Sequence, residues 1–242
     1  MRYPTGRGAL NRVFVVIGGP KLKTKIGLAL IMACVPSVFG SQIPLSPGNV
    51  IGFLGEYNSL FPASSILDHQ TGTINEPAQD GSYWLNSDNG PANAYIVIDL
   101  GAAFHLGSFD LFNTHNAFYN DRGTGAFSIE ASNSIAPGSG TGSDLSGSIV
   151  TLVSGTLLSA SLSSDPLLDQ TFVSSDPGSY RYIRFSPHTV AASGQPCCGT
   201  NVYGLNELRA FDAPASGVPE PGSIAFLGGG LVVLGMLRKR TA

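Results

Sequence analysis

Apolar and polar positions alternate with a period of two along much of the chain, a pattern typical of half-buried β-strands. The segments AFSIEAS at 126–132 and YRYIRFS at 180–186 show it most clearly. Further strand-like segments, either alternating or rich in β-branched residues, lie at 94–101, 109–114, 148–153, 155–162, 169–173 and 205–212. Turn-rich segments separate them, and no helical period lasts a dozen residues. The pattern therefore predicts an all-β protein, built as an antiparallel sandwich or jelly roll.

One Gly- and Ser-rich stretch, APGSGTGSDLSGS at 136–148, has the composition of a flexible linker. Strand patterns resume directly after it, so we interpret it as a long loop inside one domain. That domain is predicted to span residues 45–212, which is long enough to bury one sizeable core. Residues 213–217 have true linker composition and lead to the last segment of the chain.

The first 40 residues are predicted to be a signal peptide. Three basic residues precede an apolar stretch, at Lys21, Lys23 and Lys25. The apolar stretch runs from residue 26 to residue 35, and cleavage after Gly40 would start the mature chain at Ser41. Residues 1–20 are longer than a signal needs, so two interpretations stay open: an extended basic region, or a start codon assigned too far upstream.

The last segment, residues 218–242, combines a short motif, an apolar run and a basic cluster. The motif consists of Val218, Pro219, Glu220 and Pro221. The apolar run at 224–237 would span roughly 21 Å as a helix, against a hydrocarbon core of about 30 Å. The basic cluster consists of Arg238, Lys239 and Arg240. Because the run is shorter than the hydrocarbon core, we predict a short transmembrane helix that spans the membrane only temporarily. The basic cluster resists translocation and would hold the tail in the cytoplasm.

This combination of features resembles the PEP-CTERM sorting signal of Gram-negative bacteria. The resemblance implies a transient span of the inner membrane and recognition by an exosortase-type membrane protease. It also implies delivery to the cell envelope, the outer surface or an extracellular polysaccharide matrix. Since the signal covers only about the last 25 residues, it predicts a location and not an activity. We expect exported protein to end near Pro221.

The charge of the predicted domain differs from that of the whole chain, which has 13 Lys and Arg, 16 Asp and Glu, and a net charge of −3. Most positive residues lie in the two terminal segments. The domain keeps four arginines and no lysine against fifteen acidic residues, a net charge of −11. Such a surface repels phosphate backbones, which excludes nucleic-acid binding and is compatible with calcium or neutral sugars.

The predicted mature chain keeps two cysteines, the adjacent Cys197 and Cys198. A vicinal disulfide between them needs a distorted peptide, because neighbouring Cα atoms are only about 3.8 Å apart. Two reduced thiols in a loop, or pairing with another molecule, are the alternatives. We favour a loop without a catalytic role. Neither a Cys-x-x-Cys spacing nor a nearby His cluster indicates a zinc site.

Five segments in a fixed order resemble the discoidin, or coagulation-factor C-type, domain of the galactose-binding-like jelly rolls. They are Tyr95–Gly101, Phe109–Asn113, Arg122–Ser132, Arg181–Phe185 and Gly204–Arg209. Each segment alone is a weak match, whereas the ordered set covers roughly residues 50–212. The sequence of residues 113–132 resembles that of a subgroup of these domains found in exported PEP-CTERM proteins. The resemblance implies a jelly-roll sandwich that binds ligands, carbohydrate above all, through loops at one end.

The same resemblance implies a structural calcium ion, held by an early loop and by a glutamate of the last strand. On this sequence the loop residues are Asp68 and Thr71, and the closing acid is Glu207. A hard cation of this kind takes six to eight oxygen ligands. The chain departs from the family at His69, where a glycine is usual. The alternative is that Asp68 and Glu207 are ordinary solvated or turn-capping acids.

The loop THNAFYNDRGT at 114–124 gathers polar and aromatic side chains of the kind that bind sugars. The candidate ligand-binding residues are His115, Asn116, Tyr119, Asn120, Asp121 and Arg122. The same residue types also occur in ordinary turns, and Arg122 could equally pair with Asp121 or anchor the next strand. The single tryptophan, Trp84, is expected to lie in the core rather than on a sugar.

The sequence shows no constellation that carries catalysis: no Gly-x-Ser-x-Gly elbow, no His-Glu-x-x-His, no phosphate loop, and four scattered histidines. We therefore predict a protein that is not an enzyme. The first hypothesis is an exported, surface- or matrix-associated protein that binds carbohydrate. The alternative is a structural or adhesive matrix protein without a specific small ligand. A polysaccharide hydrolase, which needs only two carboxylates flanking a cleft, is the least favoured hypothesis.

Overall fold

The computed structural model describes residues 40–71, 83–114, 122–159, 167–191 and 200–213. Nearly all of the predicted signal peptide, the whole segment 218–242, and Cys197 and Cys198 lie outside these ranges. Within the ranges, none of the helices is both long enough and apolar enough to span a membrane. Two short 3₁₀ helices occur, at Pro47–Asn49 and Ala63–Leu67.

Eleven strands make up the described part of the chain, and every pairing between them is antiparallel. They are β1 (Val50–Leu54), β2 (Trp84–Leu85), β3 (Tyr95–Phe112), β4 (Ala126–Ser132), β5 (Ser134–Pro137), β6 (Thr141–Ser146), β7 (Val150–Thr156), β8 (Asp169–Val173), β9 (Ser179–Pro187), β10 (Gly204–Leu205) and β11 (Glu207–Asp212). The prediction of an all-β, antiparallel architecture is confirmed.

The long strand β3 belongs to two sheets. Its first half pairs with β1 and β9, and its second half pairs with β8 and β11. The register shifts between Asp99 and Phe104, next to Gly101, whose φ of +83° suits a glycine. The sequence predicts two strands here, at 94–101 and 109–114. The prediction misses their continuity because residues 101–103 are exposed and show no apolar alternation.

The core lies between the inward faces of the two sheets. One sheet contributes buried side chains from β3, β4 and β9, and the other contributes side chains from the second half of β3 and from β11. The largest members are Trp84, Tyr203, Phe109, Phe127 and Phe185. The Trp84 indole N–H donates to the Gly55 carbonyl at 2.8 Å, so its one polar atom is satisfied. The prediction that Trp84 is a core residue is confirmed.

The stretch predicted as a long loop, 136–148, is instead mostly a β-hairpin formed by β5 and β6. Strand β6 extends the sheet by pairing with β1, where Gly52 lies opposite Gly142. A Cβ on Gly52 would lie 1.9 Å from the Ser143 carbonyl oxygen, so the close approach requires glycine. Leu145 is buried against Tyr95. Composition suggested a loop because these glycines are needed for pairing, and few apolar residues mark the strands.

The segments predicted as separate strands at 148–153 and 155–162 form the single strand β7 as far as Thr156. Gly155, the first residue of the second predicted segment, lies within this strand. A Cβ at this position would come within 2.8 Å of the Phe172 ring and 3.0 Å of the Phe127 ring. The glycine therefore makes room for two packed aromatic rings rather than for a change of direction.

Candidate functional site

Connecting segments meet at one end of the sandwich, where β3 both begins and ends. The described parts of these segments are residues 55–61, 86–94, 113–114, 122–125, 188–191 and 200–203. Backbone hydrogen bonds join them: the Asn86 N–H donates to Tyr203 at 2.9 Å, and the Thr124 N–H donates to Gly204 at 3.0 Å. These hydrogen bonds hold the six segments in fixed positions relative to one another, and we call them together the platform.

Arg122 is the centre of this platform. Its side chain is buried, and Nη2 lies 2.9 Å from Oδ1 of Asp88, whose side chain is one-third exposed. The guanidinium carbon lies 5.0 Å from the centre of the Tyr57 ring, a cation–π distance. Arg122 therefore joins three connecting segments through one side chain. Its observed ionic partner is Asp88, and Asp121 lies outside the described residues.

Tyr57 presents the exposed aromatic surface of this end. The residue is 40% exposed, and its ring meets the Phe61 ring edge-on at 5.9 Å between centroids. The Tyr57 N–H donates to Leu85 at 2.8 Å, which fixes the backbone. A ring held on both sides but open to solvent is suited to contact the apolar face of a ligand.

Asn113 holds the base of the loop that the sequence singles out for ligand binding. Its amide group donates to the carbonyls of Thr124 at 2.8 Å and Leu158 at 2.9 Å, and its Oδ1 accepts from the Thr124 N–H at 2.9 Å. Sequence reasoning missed this role because an asparagine beside a turn is common. Besides Arg122, the predicted ligand residues lie outside the described part of the chain; they are His115, Asn116, Tyr119, Asn120 and Asp121.

The residues predicted to hold calcium lie in two segments that meet where the backbone N–H of His69 donates to Glu207. Asp68 follows the second 3₁₀ helix, and its Oδ1 accepts from the Gln70 N–H at 2.9 Å. The Thr71 carbonyl accepts from Leu167 at 3.3 Å. Glu207 begins β11 and is fully buried. The pKa of Glu207 is raised to about 7, chiefly by burial and to a small extent by the charge of Asp68, while the hydrogen bond from the His69 backbone and the charges of His69 and Arg209 oppose the shift.

His69 adopts the left-handed backbone conformation that a glycine would favour, with φ of 65°. Its Nε2 lies 2.8 Å from the Leu45 carbonyl. Because a carbonyl only accepts, this nitrogen carries a proton. Its backbone N–H donates to Oε2 of Glu207 at 3.1 Å. The loop thus keeps a glycine-like conformation, and contacts with Leu45 and Glu207 stabilise it.

The described side chains nearest to Oε1 of Glu207 carry nitrogen rather than oxygen. Its Oε1 faces two nitrogen groups, His69 Nδ1 at 3.3 Å and Arg209 Nε at 3.6 Å. Calcium instead requires six to eight oxygens around it. Within the described ranges, no group of three or more His, Cys, Asp or Glu side chains is arranged to hold a metal. Calcium binding by Asp68, Thr71 and Glu207 stays a prediction.

Comparison with solved structures aligns the chain with carbohydrate-binding modules of family 32. The module of NanJ from Clostridium perfringens, in complex with galactose, is 16% identical, with 71% of this chain and 98% of that chain covered and a TM-score of 0.45. The module CpGH89CBM32-5 from the same organism, in complex with GalNAc-β-1,3-galactose, is 13% identical, with 71% and 99% covered and a TM-score of 0.46.

A third solved structure is the family 32 module of AlyQ in complex with 4,5-unsaturated mannuronic acid. It is 17% identical, with 71% of this chain and 98% of that chain covered and a TM-score of 0.43. No family model and no curated protein matches the chain.

Proposed function

We propose that this chain is an exported, non-catalytic carbohydrate-binding protein of a bacterial surface or matrix, and that the loop end of its sandwich contacts the sugar. One observation carries the proposal. The buried guanidinium of Arg122 holds the exposed ring of Tyr57 at 5.0 Å and the carboxylate of Asp88 at 2.9 Å. Sugars present apolar C–H faces and hydroxyl groups, which an aromatic ring and a carboxylate oxygen can bind.

The fixed arrangement of these side chains favours binding. Ordering side chains costs about 0.5–1.5 kcal/mol for each one immobilised on association. Here Arg122 already holds Tyr57 and Asp88 in place, so ligand binding causes little further loss of side-chain entropy. In the sequence, residues 115–121 lie between Asn113 and Arg122 and include further polar side chains, which we propose contribute to binding.

The acidic side chains of the platform serve the fold, which favours binding over hydrolysis. In the described parts of the connecting segments these acids are Glu56 and Asp88. Glu56 Oε2 accepts from the Ala63 N–H at 2.9 Å, and Asp88 is paired with Arg122. A glycosidase needs one carboxyl group as a proton donor and another as a nucleophile or base. Both carboxylates are instead engaged in contacts within the fold.

Export and sorting are part of the same proposal and are supported by the sequence patterns at the two ends. The exosortase-type protease would act at the motif from Val218 to Pro221, after which the apolar run and basic cluster are removed. Intact-mass measurement of protein recovered outside the cell would then give a chain that ends near Pro221. Recovery of exported protein that still contains Arg240 contradicts this part of the proposal.

A glycan array probed with the purified chain tests the function. We expect binding to a subset of glycans, and the array should include galactosides, N-acetylgalactosaminides and mannuronates, the sugar types held by the aligned solved structures. Each bound glycan is then incubated with the protein and its reducing ends are counted. Binding without new reducing ends supports the proposal. Turnover of a bound glycan would show that the protein is a hydrolase. Absence of binding to any glycan would contradict the proposed function.

A further inference from the structure

A polar cavity of about 400 Å³ lies on the outer face of the larger sheet, apart from Tyr57 and Arg122. Strands β4 and β9 form its floor, and the hairpin of β5 and β6 forms one wall through Ser139 and Asp144. Its volume falls within the roughly 300–1,000 Å³ typical of small-molecule sites. The proposed loop-end site does not use this cavity.

The floor of the cavity is a regular grid of polar side chains. Ser128 of β4 lies opposite Ser186 of β9, and Glu130 lies opposite Arg184 in the next pair. The residues between them, such as Ile129, point into the core because side chains alternate between the two faces of a strand. Two hydroxyls and an ion pair therefore line the same outer face.

Arg184 connects this floor to the hairpin wall. Its Nε and Nη2 donate to Oε2 of Glu130 at 3.0 and 2.7 Å, and its Nη1 donates to both oxygens of Asp144 at 2.9 and 3.1 Å. Burial disfavours the charge of Arg184, but the hydrogen bonds that Arg184 donates to Glu130 and Asp144, together with their negative charges, outweigh this effect and raise its pKa. The hairpin is thus held over the sheet by a network of charged hydrogen bonds.

Hydrogen-bonding capacity remains inside the cavity. The hydrogen bonds that described residues donate to Glu130 all reach Oε2, and none of these residues donates to its Oε1. Tyr95 is 4% exposed, and its hydroxyl accepts from the Gly140 N–H at 3.3 Å. No acceptor for the phenolic proton lies among the described residues. A free acceptor and a free donor in one polar cavity match a ligand rich in hydroxyl groups.

The charge of the cavity selects among such ligands. Glu130 and Asp144 carry two negative charges against one positive charge on Arg184, which leaves a net negative site when His188 is neutral. An anionic sugar such as a uronate would be repelled, whereas a neutral sugar meets no such cost. We propose that this cavity is a second binding site, specific for a neutral sugar unit of a polysaccharide. The proposal extends the proposed function to a separate face of the domain.

The cavity borders the loop end, so both sites can serve one polysaccharide chain. The Tyr203 hydroxyl lies 3.2 Å from the Ala92 carbonyl and 3.3 Å from the His188 carbonyl, and thus links two segments of the cavity rim. Two sites on one rigid domain raise the effective concentration of a polymeric ligand at the second site. The chain should therefore bind a polysaccharide more tightly than a short oligosaccharide.

Isothermal titration calorimetry with a blocking variant tests the cavity. Ser139 is exposed at the hairpin turn and lines the cavity, so Ser139→Trp fills it without changing the sheet. The matched control is Ser134→Trp, on the same hairpin but outside the cavity. The probes are neutral galacto-oligosaccharides and gluco-oligosaccharides, with oligomannuronate as the anionic comparison. We expect S139W to weaken neutral-sugar binding at one site by about tenfold or more, as loss of one or two buried hydrogen bonds predicts, and S134W to match the wild type.

The outcomes separate the two proposals when Tyr57→Ala is measured alongside. If S139W binds every neutral probe like the wild type while Y57A is defective, the cavity proposal is wrong and the loop-end function stands. If S139W is defective while Y57A is not, the cavity binds sugar and the loop-end site is wrong. Binding of oligomannuronate that S139W abolishes contradicts the predicted charge preference. Absence of binding by the wild type contradicts both proposals.

Discussion

His69 has a left-handed backbone conformation, which residues other than glycine adopt only at a cost of roughly 1–2 kcal/mol. Two contacts offset this cost, its Nε2 with the Leu45 carbonyl and its backbone N–H with Glu207. The second contact helps to satisfy a carboxylate that is fully buried. The presence of histidine instead of glycine at this position therefore has a local physical explanation.

Substitutions at His69 separate the backbone strain from the side-chain contacts. Both His69→Ala and His69→Gly remove the imidazole. At the φ of 65° that this position requires, alanine is strained and glycine is not. We expect both variants to be less stable than the wild type, and H69A to be less stable than H69G by about 1 kcal/mol. Urea unfolding monitored by circular dichroism measures both. Equal stabilities of the two variants would show that the backbone is not strained here.

The Asp99–Arg181 pair gives a second prediction at this scale. Hydrogen bonds from Arg181 hold the pKa of Asp99 below its usual 3.8, and burial opposes the shift. The pair therefore stabilises the fold fully above pH 3.8, and this contribution is lost as the pH falls through the lower folded pKa. Asp99→Asn should be modestly less stable than the wild type at pH 6, with a smaller difference at pH 3. A difference that does not change with pH would contradict this assignment.

At the scale of the elements, the hairpin of β5 and β6 depends on two glycines with positive φ in different surroundings. Gly142 has φ of +74°, and a Cβ on it would lie 2.2 Å from the Ile51 carbonyl oxygen of the paired strand. Gly147 has φ of +69°, but the nearest atom to its Cβ would be 3.5 Å away. Substitution of the first adds a backbone clash to the strain, whereas substitution of the second adds strain alone.

We expect Gly142→Ala to destabilise the protein by clearly more than Gly147→Ala, whose cost should be about 1–2 kcal/mol. Thermal unfolding of the two variants measures the difference. Because the hairpin also forms a wall of the cavity, G142A should weaken binding of neutral sugars at that site. If both variants unfold at the same temperature, β6 does not pair with β1 as described.

Sequence patterns predicted β3, β4, β7, β8, β9 and β11, and missed the short strands β1 and β2 and the hairpin of β5 and β6. The hairpin was missed for a physical reason. In β4 and β9 one face is buried and the other is polar, so the alternation is visible. In β6 the buried residue is Leu145, and Gly142 allows the strand to pair closely with β1. A pattern of hydrophobicity contains no signal for a strand stabilised by close backbone approach.

The candidate site was predictable only as a region. The sequence identified the loop at 114–124 and Arg122 within it, because polar and aromatic residues gather there. It did not identify Asp88 or Tyr57 as the partners of Arg122, since residues far apart in the chain meet only through the fold. The outer-face cavity was missed for the same reason, because Glu130, Asp144 and Arg184 belong to three different strands.

At the scale of the whole molecule, the charge and the two surface sites indicate the same class of ligand. The predicted domain carries four arginines, and the contacts described above place each of them in an ion pair with a carboxylate. The arginines are therefore used within the fold, which leaves a predominantly acidic surface. Such a surface favours neutral polysaccharide over anionic polymers.

Binding of sugar at Tyr57 is tested by calorimetric titration of the wild type and Tyr57→Ala with the glycan that binds most strongly on the array. The control is Tyr182→Ala, since Arg181 lies 5.1 Å from the Tyr182 ring in a similar cation–π arrangement on another part of the domain. Loss of a stacking aromatic ring should raise the Kd of Y57A by about tenfold or more, whereas Y182A should bind like the wild type. A Kd for Y57A equal to that of the wild type, in a variant that is folded, would contradict the account.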